Sequence, residues 1–305
     1  MKDPREILKK VRQIEIRTRK MVTDAMAGHY NSVFKGQGMD FEDVRSYTPG
    51  DDIRAIDWNV TAKTGDAYIK RFREERESTL MLVVDVSASG DYGSQEESKR
   101  EMMAEMASVL AFSAIRNNDK VGLLLFTDQV EAFVPPQKGR QHVLRIIREL
   151  LFFEPKSTGT DIKVALDYLN RIVRRKAVTF LVSDFLVRDH FRQAQVRNQY
   201  TDMYKALSLT DRRHDLIVVR LSDPREYALP NVGILTLEDA ETGQLVELDT
   251  SNSRVRSAYE GQNAKQLDEF KNTLKRLGID SIYVDNGEPY ITKIREFFLT
   301  REKRR

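Results

Sequence analysis

The sequence predicts an α/β fold: a doubly wound, mostly parallel sheet flanked by helices, with a small partly β subdomain and an N-terminal helix. Three observations carry this expectation. From Ser78 onward, short apolar runs rich in β-branched residues alternate with segments of helical periodicity, the pattern of strands joined by crossover helices. The runs Thr79 to Val86, Val121 to Thr127, Ala177 to Ser183 and Asp215 to Leu221 are almost wholly apolar, so helices must cover both sheet faces. Ahead of Ser78 the chain changes character and becomes rich in Gly, Asp and aromatic residues.

The elements follow in order. In residues 1–27, Ile7, Val11, Ile14 and Met21 recur at helical spacing, with Pro4 acceptable in a first turn, and an amphipathic helix packing on its own domain is expected. Residues 28–77 hold the turn signal Thr48-Pro49-Gly50-Asp51 and the strand-like alternation from Ala67 to Phe72, giving a small subdomain. Residues 78–305 form the main domain. Its helices are expected near Gln95 to Arg116, Arg140 to Leu151, Asp161 to Val173 and Tyr200 to Arg213, and a strand from Ser281 to Val284 precedes a final helix. A hairpin is expected at residues 233–249, where two apolar runs flank Asp239 to Gly243.

Composition narrows the function classes. The chain has 305 residues, 40% hydrophobic and 32% charged, enough for a full core. No apolar stretch approaches the roughly 20 residues that span a bilayer, no secretory leader is visible, and a cytoplasmic protein is expected. The absence of cysteine removes disulfides, thiolate catalysis and cysteine-bound zinc, and suits a reducing compartment. The four histidines show no ligand spacing, so any metal must be held by oxygen. Fifty basic and 47 acidic residues leave a net charge of only +3, and no nucleic-acid role is expected. The basic runs Arg171 to Lys176 and Arg301 to Arg305 read as a solvated helix end and a soluble tail. Lys and Arg on the N-terminal helix leave peripheral membrane contact open.

The chemistry gathers at strand ends. Asp85-Val86-Ser87-Ala88-Ser89-Gly90 puts one carboxylate and two hydroxyls at alternate positions just past a buried strand. That edge is where ligands bind open α/β sheets. Ser157-Thr158-Gly159-Thr160-Asp161 and Val182-Ser183-Asp184-Phe185 fall on the same edge and add a third hydroxyl and a second carboxylate. Taken singly, a Thr before a helix is an ordinary cap and an Asp after a strand an ordinary turn residue. Together the oxygens suit Mg²⁺, or Mn²⁺, which shares its ligand preference.

In this order, Asp-x-Ser-x-Ser, a Thr in a Thr-Gly-Thr turn and an Asp after a strand resemble the metal-ion-dependent adhesion site of von Willebrand factor A domains. The resemblance implies metal roles for Asp85, Ser87, Ser89, Thr160 and Asp184, and a cation whose coordination an acidic residue of a partner completes. One departure is Phe185, where many members carry Gly.

The segment Gly38 to Asn59, with Arg45-Ser46-Tyr47-Thr48-Pro49-Gly50-Asp51-Asp52 and Ile56-Asp57-Trp58 inside it, resembles the signature of the bacterial family called domain of unknown function 58. There too it precedes a von Willebrand A-like core. Physically, Arg54 is expected to pair with Asp51 or Asp57, and Trp58 to anchor the subdomain by its apolar ring. Members often accompany MoxR-type AAA+ ATPases, so the resemblance implies such an ATPase, or a client protein with an acidic ligand, as partner. The expected function is a non-enzymatic, metal-dependent protein-binding adaptor. The alternatives are a metal-dependent phosphoryl-transfer hydrolase, for which the second Asp of haloacid-dehalogenase-type phosphatases is replaced by Ser87, and a metal-free structural adaptor.

Overall fold

The computed structural model describes residues 4–25, 30, 34, 38–75, 78–88, 98–185, 193–238 and 245–304. The chain divides into two compact units, Phe34–Ser78 and the remainder.

In the smaller unit, strands β1 (Gly38–Ser46) and β2 (Tyr68–Glu75) pair antiparallel, with a register shift between Phe41 and Asp43. Between them lie a short 3-10 turn (Ile53–Ala55) and helix α2 (Trp58–Thr64), which follows α1 (Pro4–Ala25) of the larger unit in chain order. Asp52 accepts from Arg54 N–H, and Asp57 caps α2 by accepting from the N–H groups of Asn59 and Val60. The helix stops at Gly65, whose φ of 84° places it in the left-handed region. The ion pair across the turn differs from expectation: Asp51 takes a two-pronged contact from Arg45, Nη2 to Oδ1 at 2.7 Å and Nη1 to Oδ2 at 2.8 Å, rather than from Arg54. The Arg45 guanidinium, helped by Thr48, holds the Asp51 carboxyl well below the usual range. Trp58 also departs from the expected anchor. It stands at the first position of α2 and is 67% exposed.

The larger unit is built on six strands: β3 (Thr79–Asp85), β4 (Lys120–Phe126), β5 (Val130–Gln137), β6 (Val178–Ser183), β7 (Asp215–Ser222) and β10 (Asp280–Asp285). Their order across the sheet is β10-β7-β6-β3-β4-β5, all parallel except β5, which runs antiparallel to β4. The chain starts at β3, builds outward through β4 and β5, then returns to β6 and builds the other way. The order therefore reverses between β3 and β6, a topological switch point, and the expected doubly wound α/β class is the one observed.

Helices α3 (Lys99–Arg116), α4 (Arg140–Phe152), α5 (Ile162–Ile172), α6 (Gln193–Arg213), α8 (Ser253–Leu277) and α9 (Tyr290–Arg304) flank this sheet, with a single turn α7 (Pro224–Tyr227) after β7. On one face Met81, Val83, Leu124, Leu181 and Val218 pack with Leu166 and Leu169 of α5, Leu207 of α6 and Phe270 and Leu274 of α8. The alternate residues Leu80, Leu82, Leu123 and Leu125 are equally buried on the other face, where α3 and α4 lie against β3 and β4. Burying each such side chain contributes about 1.5–3 kcal/mol. Helix α1 packs on α3 and α4 through Val11, Ile14, Thr18 and Val22, and the buried Glu15 receives Arg140 Nε at 2.5 Å.

Among the elements not read from the sequence are the antiparallel strand β5 and the 25-residue helix α8. The basic C-terminal run is not a free tail either. Arg301 bonds Asp215 Oδ1 at 2.5 Å and lies 3.4 Å from Asp280 Oδ2, while Arg304 reaches Asp280 Oδ1 at 3.2 Å. Near the sheet's edge, Val121 pairs with Gln137 and Leu123 with Val134, leaving Pro135 and Pro136 opposite Gly122 alone. A Cβ on Gly122 would stand 2.6 Å from Met81 Sδ, so any side chain there would force the buried Met81 thioether to shift.

Strands β8 (Ile234–Glu238) and β9 (Leu245–Asp249) form a separate antiparallel pair, and the turn between them lies outside the described residues. Among the described residues, no helix is long and apolar enough to cross a membrane.

Candidate metal centre

The switch point sets the site. Strands β3 and β6 are parallel neighbours with Val84 opposite Val182, so Asp85 and Ser87 leave one strand end beside Ser183 and Asp184 at the other. A third segment is tied to the same end. Ala88 N–H donates to Thr158 O at 3.3 Å, and Asp161 N–H donates to Thr127 O at 3.0 Å. Glu131 Oε1 accepts from the N–H groups of Lys156 and Ser157, each at 3.1 Å, and from Thr127 Oγ1 at 2.9 Å. Burial works against the Glu131 charge, yet these donors and Gln129 keep its carboxyl below its ordinary value. The loop carrying Thr160 is thus anchored at both ends, and Asp161 caps α5 by accepting from Lys163 and Val164 N–H. Of the five residues expected to ligate, Asp85, Ser87, Thr160 and Asp184 lie among the described residues, and Ser89 lies outside them.

Asp85 is 3% exposed, its Oδ1 accepting from Ser87 N–H at 3.0 Å and its Oδ2 from Ser183 Oγ at 2.7 Å. Burial raises its carboxyl to about 6, the Asp184 charge adds to the rise, and the Ser183 and Ser87 donors only partly offset it. The carboxylate is held in place, but its negative charge is under-compensated.

Asp184 has a partner that sequence reasoning missed. Lys99, at the start of α3 behind its Ser98 cap, is 1% exposed and places Nζ 3.0 Å from Asp184 Oδ2 and 2.5 Å from Glu226 Oε1. Its two carboxylates outweigh the burial that opposes its charge, whereas burial prevails at Glu226 and raises that carboxyl. Glu226 sits on α7, and its backbone oxygen accepts from Asn263 Nδ2 of α8 at 2.8 Å. No sequence signal marks this triad, since its members are 85 and 127 residues apart along the chain. The Ser183 hydroxyl was missed as well, although its place next to Asp184 at a strand end could have drawn attention.

Among the described residues, Asp85, Asp184 and Glu226, when ionised, face one ammonium, which leaves two net negative charges. That deficit and a donor set of carboxylates and hydroxyls fit a hard divalent cation. No group of three or more His, Cys, Asp or Glu that could hold a metal ion is found among the described residues, and a cation here would need hydroxyl oxygens as well as carboxylates.

Phe185 explains the departure from glycine after Asp184. Its φ is 54°, the left-handed region where a Cβ is strained. Its ring is buried and packs 5.0 Å from that of Phe270, centroid to centroid, inside the core of α5, α6 and α8. Ser183 Oγ accepts from Phe185 N–H at 3.0 Å and steadies the same turn.

Fold and site define a doubly wound α/β module with two buried carboxylates, Asp85 and Asp184, at the switch point of its sheet. The chain belongs to the family described as protein of unknown function DUF58, whose pattern matches residues 43–269. It is 26% identical over 295 residues to Rv1480 of Mycobacterium tuberculosis, spanning 96% of this chain and 89% of that protein. Among solved structures it is similar to BatB from Bacteroides thetaiotaomicron, at 16% identity and a TM-score of 0.43 over 74% of this chain and 99% of the other. It is also similar to the VWA domain of SpRpn10, at 14% identity and a TM-score of 0.32 over 48% of this chain and 75% of that one.

Proposed function

We propose that this chain is a non-enzymatic protein-binding adaptor that holds a divalent cation, Mg²⁺ in preference, through Asp85, Ser87, Ser89, Thr160 and Asp184. The observation that carries the reading is the pair of buried carboxylates from two different strands, Asp85 and Asp184, whose mutual repulsion helps raise Asp85 to about 6. Such a pair is costly without a cation and favourable with one. With Lys99 and Glu226 cancelling each other, a divalent ion balances the remaining charge, and an acidic side chain of a protein partner supplies a further oxygen. A MoxR-type AAA+ ATPase or its client is the partner that the family resemblance implies. The chain has no cysteine, in keeping with the cytoplasm, to which we assign it. A non-catalytic role is supported by the described histidines. His142 lies against Val121 O and His214 against Ala177 N–H, both at the opposite end of the strands from Asp85.

A metal-free adaptor is the second reading, favoured by one observation: Lys99 already satisfies Asp184 in part. Thermal unfolding after chelator treatment, followed by Mg²⁺ titration of wild type and Asp85→Asn, separates the two. A ligand that binds only the native state raises stability by about 2.7 kcal/mol at a hundred times its Kd. A rise in wild type alone supports the metal site. No rise in wild type, with partner capture unaffected by chelator, establishes the metal-free adaptor instead.

A further inference from the structure

Arg220 lies on β7, an inner strand, with 6% of its surface exposed. The registers Ser183 to Arg220 and Arg220 to Tyr283 put these three side chains in one row on the sheet face that packs against Phe270. The guanidinium carbon stands 5.4 Å from the Phe270 ring centroid, so an aromatic face covers one side of the cation. Among the described residues no carboxylate pairs with it, and its Nε is buried without a hydrogen-bond partner. The hydroxyl of Tyr283 is likewise buried, with the Ser281 side chain within hydrogen-bonding reach of it.

A buried ion without a counter-ion is unfavourable, and a ring face compensates only a small part of the lost hydration. What surrounds Arg220 is the chemistry of a receptor for negative charge. Tyr204 of α6, Tyr227 of α7 and Tyr283 of β10 all lie within its field. Burial raises all three phenols, Tyr204 to about 12, so each stays protonated and able to donate. A planar guanidinium offers donors only, in the fork that matches an oxyanion, and a protonated phenol can add one more.

We propose that Arg220, with the Tyr283 hydroxyl, forms an oxyanion-binding site, taking a carboxylate or a phosphate, one strand away from the Ser183 that holds Asp85. The site stands on its own observations and needs no metal at the switch point.

The test is thermal unfolding of the full chain in chelator at fixed ionic strength, with chloride replaced by inorganic phosphate in one arm and by glutarate in the other. Wild type and Arg220→Met are compared. At a hundred times Kd the wild-type midpoint should rise by roughly 5 °C in at least one arm, and Arg220→Met should lose that rise. Because the substitution removes an unpaired buried charge, its midpoint in chloride should equal or exceed that of wild type. A response to phosphate alone assigns a phosphate, and a response to glutarate alone assigns a carboxylate. General stabilisation by phosphate would appear equally in both proteins, and equal rises overturn the site, as does a flat wild-type response in both arms. Should Arg220→Met fail to fold, the Arg220 Nε–H signal in the ¹⁵N spectrum of wild type decides. A saturable shift with either anion supports the site, and an invariant signal overturns it.

Discussion

Lys99 and Asp184, 85 residues apart, meet as an ion pair with Nζ 3.0 Å from Oδ2 and side chains only 1% and 3% exposed. Removing one member of such a pair leaves the other charge buried alone, which costs about 3–5 kcal/mol. Lys99→Met is therefore expected to lower stability by that amount in chelator, measured by urea unfolding. Because it also removes the Lys99 ammonium from Asp184, Mg²⁺ should stabilise Lys99→Met more than wild type. A loss below about 1 kcal/mol would mean that the triad is slack.

The pH behaviour of Asp85 has a definite sign. Its folded carboxyl titrates at about 6, above the ordinary 3.8, so between these values the native state holds more protons than the unfolded one. Stability from this group is present below about 4 and is lost as pH rises to about 6. In chelator, the midpoint of Asp85→Asn minus that of wild type should grow across this window, and saturating Mg²⁺ should close the gap. A flat difference from pH 4 to 7 would contradict the account.

Phe185 makes two opposed contributions. Phe185→Ala should lose about 3–5 kcal/mol of packing against Phe270 while keeping a strained φ of 54°. Phe185→Gly loses the same ring but relieves about 1 kcal/mol of strain, so it should be the more stable of the two, the reverse of the usual Ala and Gly order. Paired denaturation midpoints check this directly.

Gly122→Ala is expected to cost about 1–3 kcal/mol, since the new methyl meets Met81 Sδ at 2.6 Å and Pro136 Cγ at 3.0 Å. The double variant with Met81→Ala should recover part of that cost if the sulfur contact is the cause. Independent, additive losses would point to the backbone instead.

Apolar, β-branched runs announced β3, β4, β6 and β7, because strands buried on both faces have few polar positions to blur the pattern. Helix α8 stayed hidden because only Phe270 and Leu274 of its 25 residues are buried, so its apolar stripe is too thin to show a period. Strand β5 stayed hidden because Pro135-Pro136 interrupts its pattern, and only a bulge accommodates the two prolines. At the candidate site, the meeting of Asp85, Ser87 and Asp184 at one strand edge was legible because strand ends and alternation are local. Lys99 and Glu226 were not: a lysine at the first turn of a helix looks solvated until the tertiary fold closes over it. Trp58 misled in the opposite direction, since ring size alone says nothing about which way a capped helix turns it.

The two prolines of β5 have a further consequence at the margin of the sheet. An outermost strand exposes a row of unpaired backbone groups that another chain can copy into a continuing ribbon, the first step toward aggregation. Pro135 and Pro136 carry no N–H, and the bulge they form against Gly122 breaks the row's regular spacing. A strand arriving at this border finds missing donors and a mismatched register, and sheet-to-sheet polymerisation is discouraged along the β5 side.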